Sequence, residues 1–223
     1  MFASILARSD WEGNLELLLR WLHVIAGIIW IGHLYFFNFV NANFQAKIEK
    51  DVKQKVNPQL LPRALFWFRW GAMLTLIMGL ALFTLLYMYK GDGKFGPSAL
   101  WKFNDKITDR AIWIMIGMTC GIIMWFNVWF IIWPRQQKII RAVRDGKAPD
   151  AAMVKMAGNA SKLNTYLSAP MLFGMLAPGH YSSINPVTAI IAVVLALATF
   201  FHLFMVAPKV GTDFDIRYVD ATL

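Results

Sequence analysis

Leu163–Pro208 reads LNTYLSAPMLFGMLAPGHYSSINPVTAIIAVVLALATFFHLFMVAP, 46 residues without one Asp, Glu, Lys or Arg. A single helix of that length would be roughly 70 Å long, against a bilayer hydrocarbon core of about 30 Å. The segment must therefore fold back on itself. It does so within Ala177-Pro178-Gly179-His180-Tyr181-Ser182-Ser183-Ile184-Asn185-Pro186, where Pro and Gly break the helix and small polar residues replace the apolar run. Two antiparallel transmembrane helices are expected, at 163–179 and 187–208.

Working outward, three more uncharged runs have the length of a span. Trp21–Val40 is extended past Arg20 by Leu17-Leu18-Leu19, Trp70–Tyr89 is the second, and Ala111–Trp133 is the third, closed by Pro134. The expected fold is an all-α integral membrane bundle of about five helices in one domain, with the first three spans at 17–40, 66–89 and 111–133. Composition agrees. Of 223 residues, 58% are hydrophobic and 16% charged, against about 25% charged in soluble globular chains, and the mean hydropathy is +0.49.

Lys and Arg set the orientation. Asn41–Arg69, Pro134–Lys162 and the residues from Lys209 onward share one side and hold 15 basic residues, against 7 on the other. This predicts the N-terminus outside and the C-terminus inside, in a bacterial inner (cytoplasmic) membrane. The net charge of +9 is then a topology signal and an attraction to anionic lipid, not a nucleic-acid footprint. The segment Met1–Glu16 mixes Arg8 with Asp10, Glu12 and Glu16, unlike a secretory signal, so the first span is expected to be retained. Between spans three and four, Ile139, Ile140 and Val143 form an apolar stripe ending at Gly146, and Asp150 after Pro149 is placed to cap a helix running into span four. Two short cytoplasmic helices are expected there.

Ionisable groups inside a bilayer are costly and mark function. No acid falls in any of the five spans, which argues against a proton pump or cation transporter. Cys120 is the single cysteine, so there is no CxxCH site for covalent c-type haem. The four histidines, by contrast, all lie in or at the edge of spans: His23, His33, His180 and His202. Neutral imidazole is a haem-iron ligand with a modest desolvation cost. His23 and His33 are ten residues apart, about 15 Å along a helix and about 80° around it. Depth pairs His23 with His180 in the outer half and His33 with His202 in the inner half, an arrangement suited to one or two bis-histidine b-type haems. Each histidine is equally open to a plain helix–helix hydrogen bond.

Arg20, one turn before His23, can pair with a haem propionate or snorkel to the interface; Arg69 and Arg110 invite the same reading. Trp11, Trp21, Trp67, Trp70, Trp101 and Trp133 sit at expected interfaces as an aromatic belt, while Trp30, Trp113, Trp125 and Trp129 lie deeper, where they pack or line a flat cofactor. Gly117-Met118-Thr119-Cys120-Gly121 is a GxxxG helix-contact motif. The 12 methionines are scattered and outline no copper path.

Two stretches carry a family resemblance. Trp21-Leu22-His23-Val24-Ile25-Ala26-Gly27-Ile28-Ile29-Trp30-Ile31-Gly32-His33-Leu34-Tyr35-Phe36-Phe37-Asn38-Phe39, and Asn164-Thr165-Tyr166-Leu167-Ser168-Ala169-Pro170-Met171-Leu172-Phe173-Gly174-Met175-Leu176 followed by His180-Tyr181, resemble the membrane domain of the bacterial urate oxidase (urate hydroxylase) N-terminal family. The resemblance runs from span one to span five. It implies a membrane redox role, alongside a cytochrome c domain in some members, and roles for His23, His33 and His180; His202 rests on depth alone. One departure is Leu163, where members tend to carry His. The chain is thus expected to be a haem-b-binding electron-transfer subunit of a respiratory or oxidase-type complex, working with other membrane subunits and with quinol or a cytochrome c. The alternatives are a cofactor-free accessory scaffold and a membrane urate oxidase-like enzyme.

Overall fold

The computed structural model describes residues 10–181 and 183–210. Arg8, Ser182 and Arg217, the last counted above among the basic residues from Lys209 onward, lie outside the described residues. The architecture is an all-α membrane bundle. Helix α1 (Asp10–Tyr35) continues through a π-helical turn, Phe36–Asn41, into the short α2 (Ala42–Lys47). Helix α3 (Lys50–Phe83) returns and ends in a second π-turn, Thr84–Met88. A loop carrying the two-residue strands β1 (Lys102–Phe103) and β2 (Lys106–Ile107) leads to α4 (Asp109–Phe126). A third π-turn, Asn127–Ile132, joins α4 to α5 (Trp133–Arg144). Helix α6 (Ala151–His180), α7 (Pro186–Val206) and a 3-10 turn, Ala207–Lys209, complete the bundle.

Four of these rods are by themselves long and apolar enough to cross a bilayer: Trp11–Lys47, Lys50–Met88, Asp109–Arg144 and Pro186–Lys209. The fifth long helix, α6, spans 30 residues but carries Lys155, Asn159, Ser161, Lys162, Asn164, Thr165 and Ser168. Lys155, Asn159 and Lys162 are exposed toward its N-terminal end, whereas Asn164, Thr165 and Ser168 are buried and Ser161 is bonded to Asn38, so its apolar half tolerates polar groups that an isolated span does not.

The helices overrun the apolar runs. The uncharged stretch sets the part that matches the hydrocarbon core, whereas helix formation continues into charged ends. The expected pair of separate short helices after span three is therefore corrected. Pro134 does not end the third helix, because the π-turn before it disturbs the hydrogen-bond register and Pro134 falls in the first turn of the resumed helix, where no N–H is needed. Helix α5 follows without a break, Ile140 is buried, and Gly146 closes the stripe at φ +69°. Asp150 caps α6 as expected, accepting from the N–H of Ala152 (2.7 Å) and Met153 (3.3 Å). Pro178 lies inside α6, which ends at His180; Asn185 caps α7 by accepting from Val187 N–H at 2.9 Å.

Two tight antiparallel pairs, α1 with α3 and α4 with α6, make the largest contacts. Each rests on a glycine. A Cβ on Gly71 would fall 3.1 Å from the backbone nitrogen of Trp30, and one on Gly174 would fall 2.6 Å from that of Gly117. The helix-contact reading of the GxxxG motif thus holds for Gly117, whereas Gly121 meets only the Met171 side chain at 3.7 Å. Trp30, Leu34, Phe68, Ala72, Met124 and Val128 form the heart of the core between the pairs. Helix α7 is peripheral: Phe200 is its one buried residue among those described, and its rings meet Tyr35 and Tyr166.

Candidate functional site

The apolar stripe of α1 runs through Ala26, Trp30 and Leu34, all buried. His23 continues it one turn earlier, since seven residues return to nearly the same face. The ring is half-buried against α3. Its Nδ1 donates to the carbonyl of Thr75 at 2.9 Å. It also lies against Gly79, where a Cβ would come within 2.9 Å of Cε1. Thr75 is itself buried, its hydroxyl turned back to the carbonyl of Gly71 at 2.7 Å. Sequence reading missed both partners. The signal was a Thr and a Gly one turn apart on a membrane helix, which is too common to single out.

His33 repeats the pattern with a local acceptor. Its Nδ1 donates to the carbonyl of Ile29 at 2.7 Å, and its ring centroid lies 6.5 Å from that of Phe37. In both residues the bond to a carbonyl sets Nδ1 as the protonated nitrogen and leaves the Nε2 lone pair unengaged among the described residues. Between them, on the stripe that His23 continues, Trp30 is 2% exposed, and its indole N–H has no hydrogen-bond partner among the described residues. The indole N–H groups of Trp113 and Trp125 are likewise buried without a partner among the described residues, so this feature is not peculiar to the histidine face.

The other two histidines are placed differently. His180 ends α6 and is exposed, beside Tyr181, whose ring meets Trp113. His202 is exposed two residues past the buried Phe200, about 200° round α7 and so on the face away from the bundle. Its depth falls between the ring pairs Tyr35–Phe200 and Phe39–Phe204. Within this chain His23 and Trp30 share one face of α1, His33 lies on the neighbouring face about 15 Å further on, and His180 and His202 point outward.

A polar seam lies at the His33 end. The Asn127 side chain donates to Asn164 Oδ1 at 2.7 Å, and Asn164 Nδ2 donates to the Met124 carbonyl at 2.9 Å. Ser168 donates to the Thr165 carbonyl at 2.7 Å, so its oxygen accepts from the Tyr35 hydroxyl, 2.9 Å away. Asn38 donates to Ser161 Oγ at 2.8 Å. Asn164, Thr165 and Ser168 are fully buried. The seam ties α6 to both α1 and α4, and two of its members, Asn38 and Asn127, lie in π-turns. π-Turns are frequent at functional sites. Leu163, by contrast, is half exposed, flanked by Lys162 and Tyr166, both of which meet the Phe204 ring. A His at that position would stand outside the seam.

Among the arginines, Arg20 is exposed and ion-paired to Glu16 at 2.5 Å. Arg69 is caged instead: its guanidinium lies 3.9 Å from the Trp133 ring centroid and 5.5 Å from that of Trp129. The Trp129 indole N–H donates to the Arg69 carbonyl at 3.2 Å. The Nε atoms of Arg69 and Arg110 are buried without partners among the described residues.

A family model described as urate oxidase N-terminal matches residues 9–54, 50–95 and 96–219 of the chain. No curated protein and no solved structure matches it.

Proposed function

Because this chain belongs to the urate oxidase N-terminal family, and both histidines of its first helix have Nδ1 tied to a carbonyl, we propose that it is a haem-b-binding membrane subunit that passes electrons. The paired Nδ1 bonds of His23 and His33 are the observation that carries this reading. Two imidazoles, each with Nε2 unengaged among the described residues, support this reading; about 15 Å apart along one helix, they would serve separate sites, each completed by a ligand from beyond α1. Haem b, when bound, supplies one-electron redox chemistry. The chain's own residues do the rest. The Thr75 carbonyl holds the His23 tautomer, Gly79 leaves room for the ring, and the carbonyl of Ile29 does for His33 what Thr75 does for His23.

On this reading the N-terminus faces outward from a bacterial cytoplasmic membrane. The outward-facing His180 and His202 and the nearly bare α7 then turn toward other membrane subunits. Electrons pass between quinol or such a partner and a cytochrome c. The test is a reduced-minus-oxidised spectrum of purified protein with pyridine haemochrome quantification. A b-type spectrum is expected, reduced or lost in His23→Ala and His33→Ala; unchanged haem content in both variants overturns the assignment.

A scaffold role without cofactor draws on α7, since a helix with so little of its surface covered by its own chain suits an accessory subunit. Unaltered activity of the assembled complex on replacing both α1 histidines favours that role. Urate oxidation, named in the family's description, is separable by measuring urate-dependent electron transfer in the isolated membrane protein.

A further inference from the structure

We propose that the cleft between the start of α5 and the first turns of α6 is a binding site for an anionic phospholipid. The cleft has a volume of about 250 Å³ and is lined by Pro134, Arg135, Lys138, Ala152, Met153 and Met156. Arg135 and Lys138 stand one turn apart on α5, immediately past Trp133, where the apolar span gives way to Gln136, Gln137 and Lys138. That is the level of a headgroup, at the end of the bundle with the excess of Lys and Arg. The walls are almost wholly apolar, made by Pro134, Ala152, Met153, Met156 and the aliphatic stems of Arg135 and Lys138.

Neither cation has a carboxylate partner among the described residues. One guanidinium nitrogen of Arg135 donates to the carbonyl of Ile131 at 2.9 Å, which holds the side chain in place; its other N–H groups have no partner among the described residues. The nearby acids are already engaged. Asp145 pairs with Arg144 at 2.8 Å, and Asp150 caps α6 through the N–H groups of Ala152 and Met153. Lys155, next to Met156 on α6, adds positive potential.

Two cations at a cleft with apolar walls suit a phosphodiester with acyl chains. The phosphate bridges Arg135 and Lys138, and the glycerol and first methylenes lie on Met153 and Met156, whose flexible thioethers adapt to chains without fixed shape. Pockets for whole drug-sized ligands run from about 300 to 1,000 Å³, so this cleft takes a headgroup region and leaves the tails in the bilayer. An inorganic anion would leave the apolar wall wet. A zwitterionic lipid carries no net charge to offset the two cations.

The test uses the full chain, purified in neutral detergent and stripped of lipid. It is titrated with dioctanoyl-phosphatidylglycerol, dioctanoyl-phosphatidylcholine or inorganic phosphate, reading retained lipid by native mass spectrometry and the unfolding midpoint. Phosphatidylglycerol is expected to be retained and to raise the midpoint. The Arg135→Gln/Lys138→Gln double variant is expected to lose roughly tenfold or more in apparent affinity, and Arg141→Gln/Arg144→Gln, with the same charge change on the same helix, much less. Should the first pair fail to fold, Lys138→Gln and Met156→Asn singly report on the headgroup and acyl halves, and each is expected to weaken retention. Equal loss in the Arg141/Arg144 pair, equal retention of phosphatidylcholine, or the same midpoint rise with inorganic phosphate overturns the proposal.

Discussion

His23 and Gly79 are fitted to one another across the α1–α3 interface: the imidazole occupies the space that a Cβ at position 79 would take, 2.9 Å from Cε1. The hydrogen bond to Thr75, one turn before Gly79, holds the ring in that space. Contact and bond together decide which nitrogen of His23 is free.

Gly79→Ala is accordingly expected to displace the His23 ring and break its bond to Thr75. Overpacking of this kind costs about 1–3 kcal/mol. If His23 is an axial ligand, the same change lowers haem content or shifts the reduction potential. A spectrum and potential identical to wild type, with the fold retained, would show that His23 does not ligate.

The α4–α6 crossing separates two glycines of one motif. Gly174→Ala and Gly117→Ala place a methyl against backbone within 3.0 Å, so the helices must move apart. Gly121→Ala meets only the mobile end of Met171. Unfolding in detergent should show a loss of about 1–3 kcal/mol at 117 and 174 and little change at 121. Equal effects at all three positions would contradict the crossing described.

Asn127 and Asn164 form one unit, and a double-mutant cycle should reveal it. Asn164→Leu strands the Asn127 amide in a buried site and costs about 1–3 kcal/mol. Replacing both is expected to cost less than the sum of the two single changes, with a coupling of roughly 0.6–1.7 kcal/mol as for membrane hydrogen bonds. Strict additivity would mean that the pair does not act together.

Arg69 is held by aromatic faces rather than by an acid among the described residues. Trp133→Leu should lower stability by about 1–2 kcal/mol more in the wild type than in an Arg69→Met background, where only its packing on the core is lost. Arg69→Lys is expected to restore part of the stability at most, because an ammonium does not stack on an indole face as a guanidinium does. A full rescue by Lys would reduce the site to a point charge.

Much of the site was not legible in one dimension. The four histidines stood out because each is a titratable group in an apolar run, and His23 and His33 could be put on neighbouring faces of α1 from their spacing. What they touch could not. Thr75 and Gly79 are 52 and 56 residues from His23, and only the antiparallel packing of α1 on α3 selects them. The outward aim of His202 follows from which side of α7 buries Phe200, a choice its sequence leaves open because every face of that helix is apolar. Arg20 drew attention by its closeness to His23 along the chain, yet its partner is Glu16; the caged arginine is Arg69, whose aromatic neighbours Trp129 and Trp133 come from another helix.

The sequence by itself determined that the chain is an all-α membrane bundle, that the 46 uncharged residues from Leu163 to Pro208 turn back between Pro178 and Pro186, and that the apolar runs hold histidine and no acid. These follow from the cost of burying charge and open backbone in hydrocarbon, which acts on each segment separately. Tertiary structure alone decided how α6, a long helix that does not qualify as a span by its own composition, can lie inside the bundle, because Asn127, Tyr35 and Asn38 on other helices bond its Asn164, Ser168 and Ser161. It also decided that Pro134 continues a helix and that the Nε2 atoms of His23 and His33 are the nitrogens left free. Hydrogen-bond satisfaction across helices is a property of pairs distant in sequence, so hydropathy along one strand of text does not contain it.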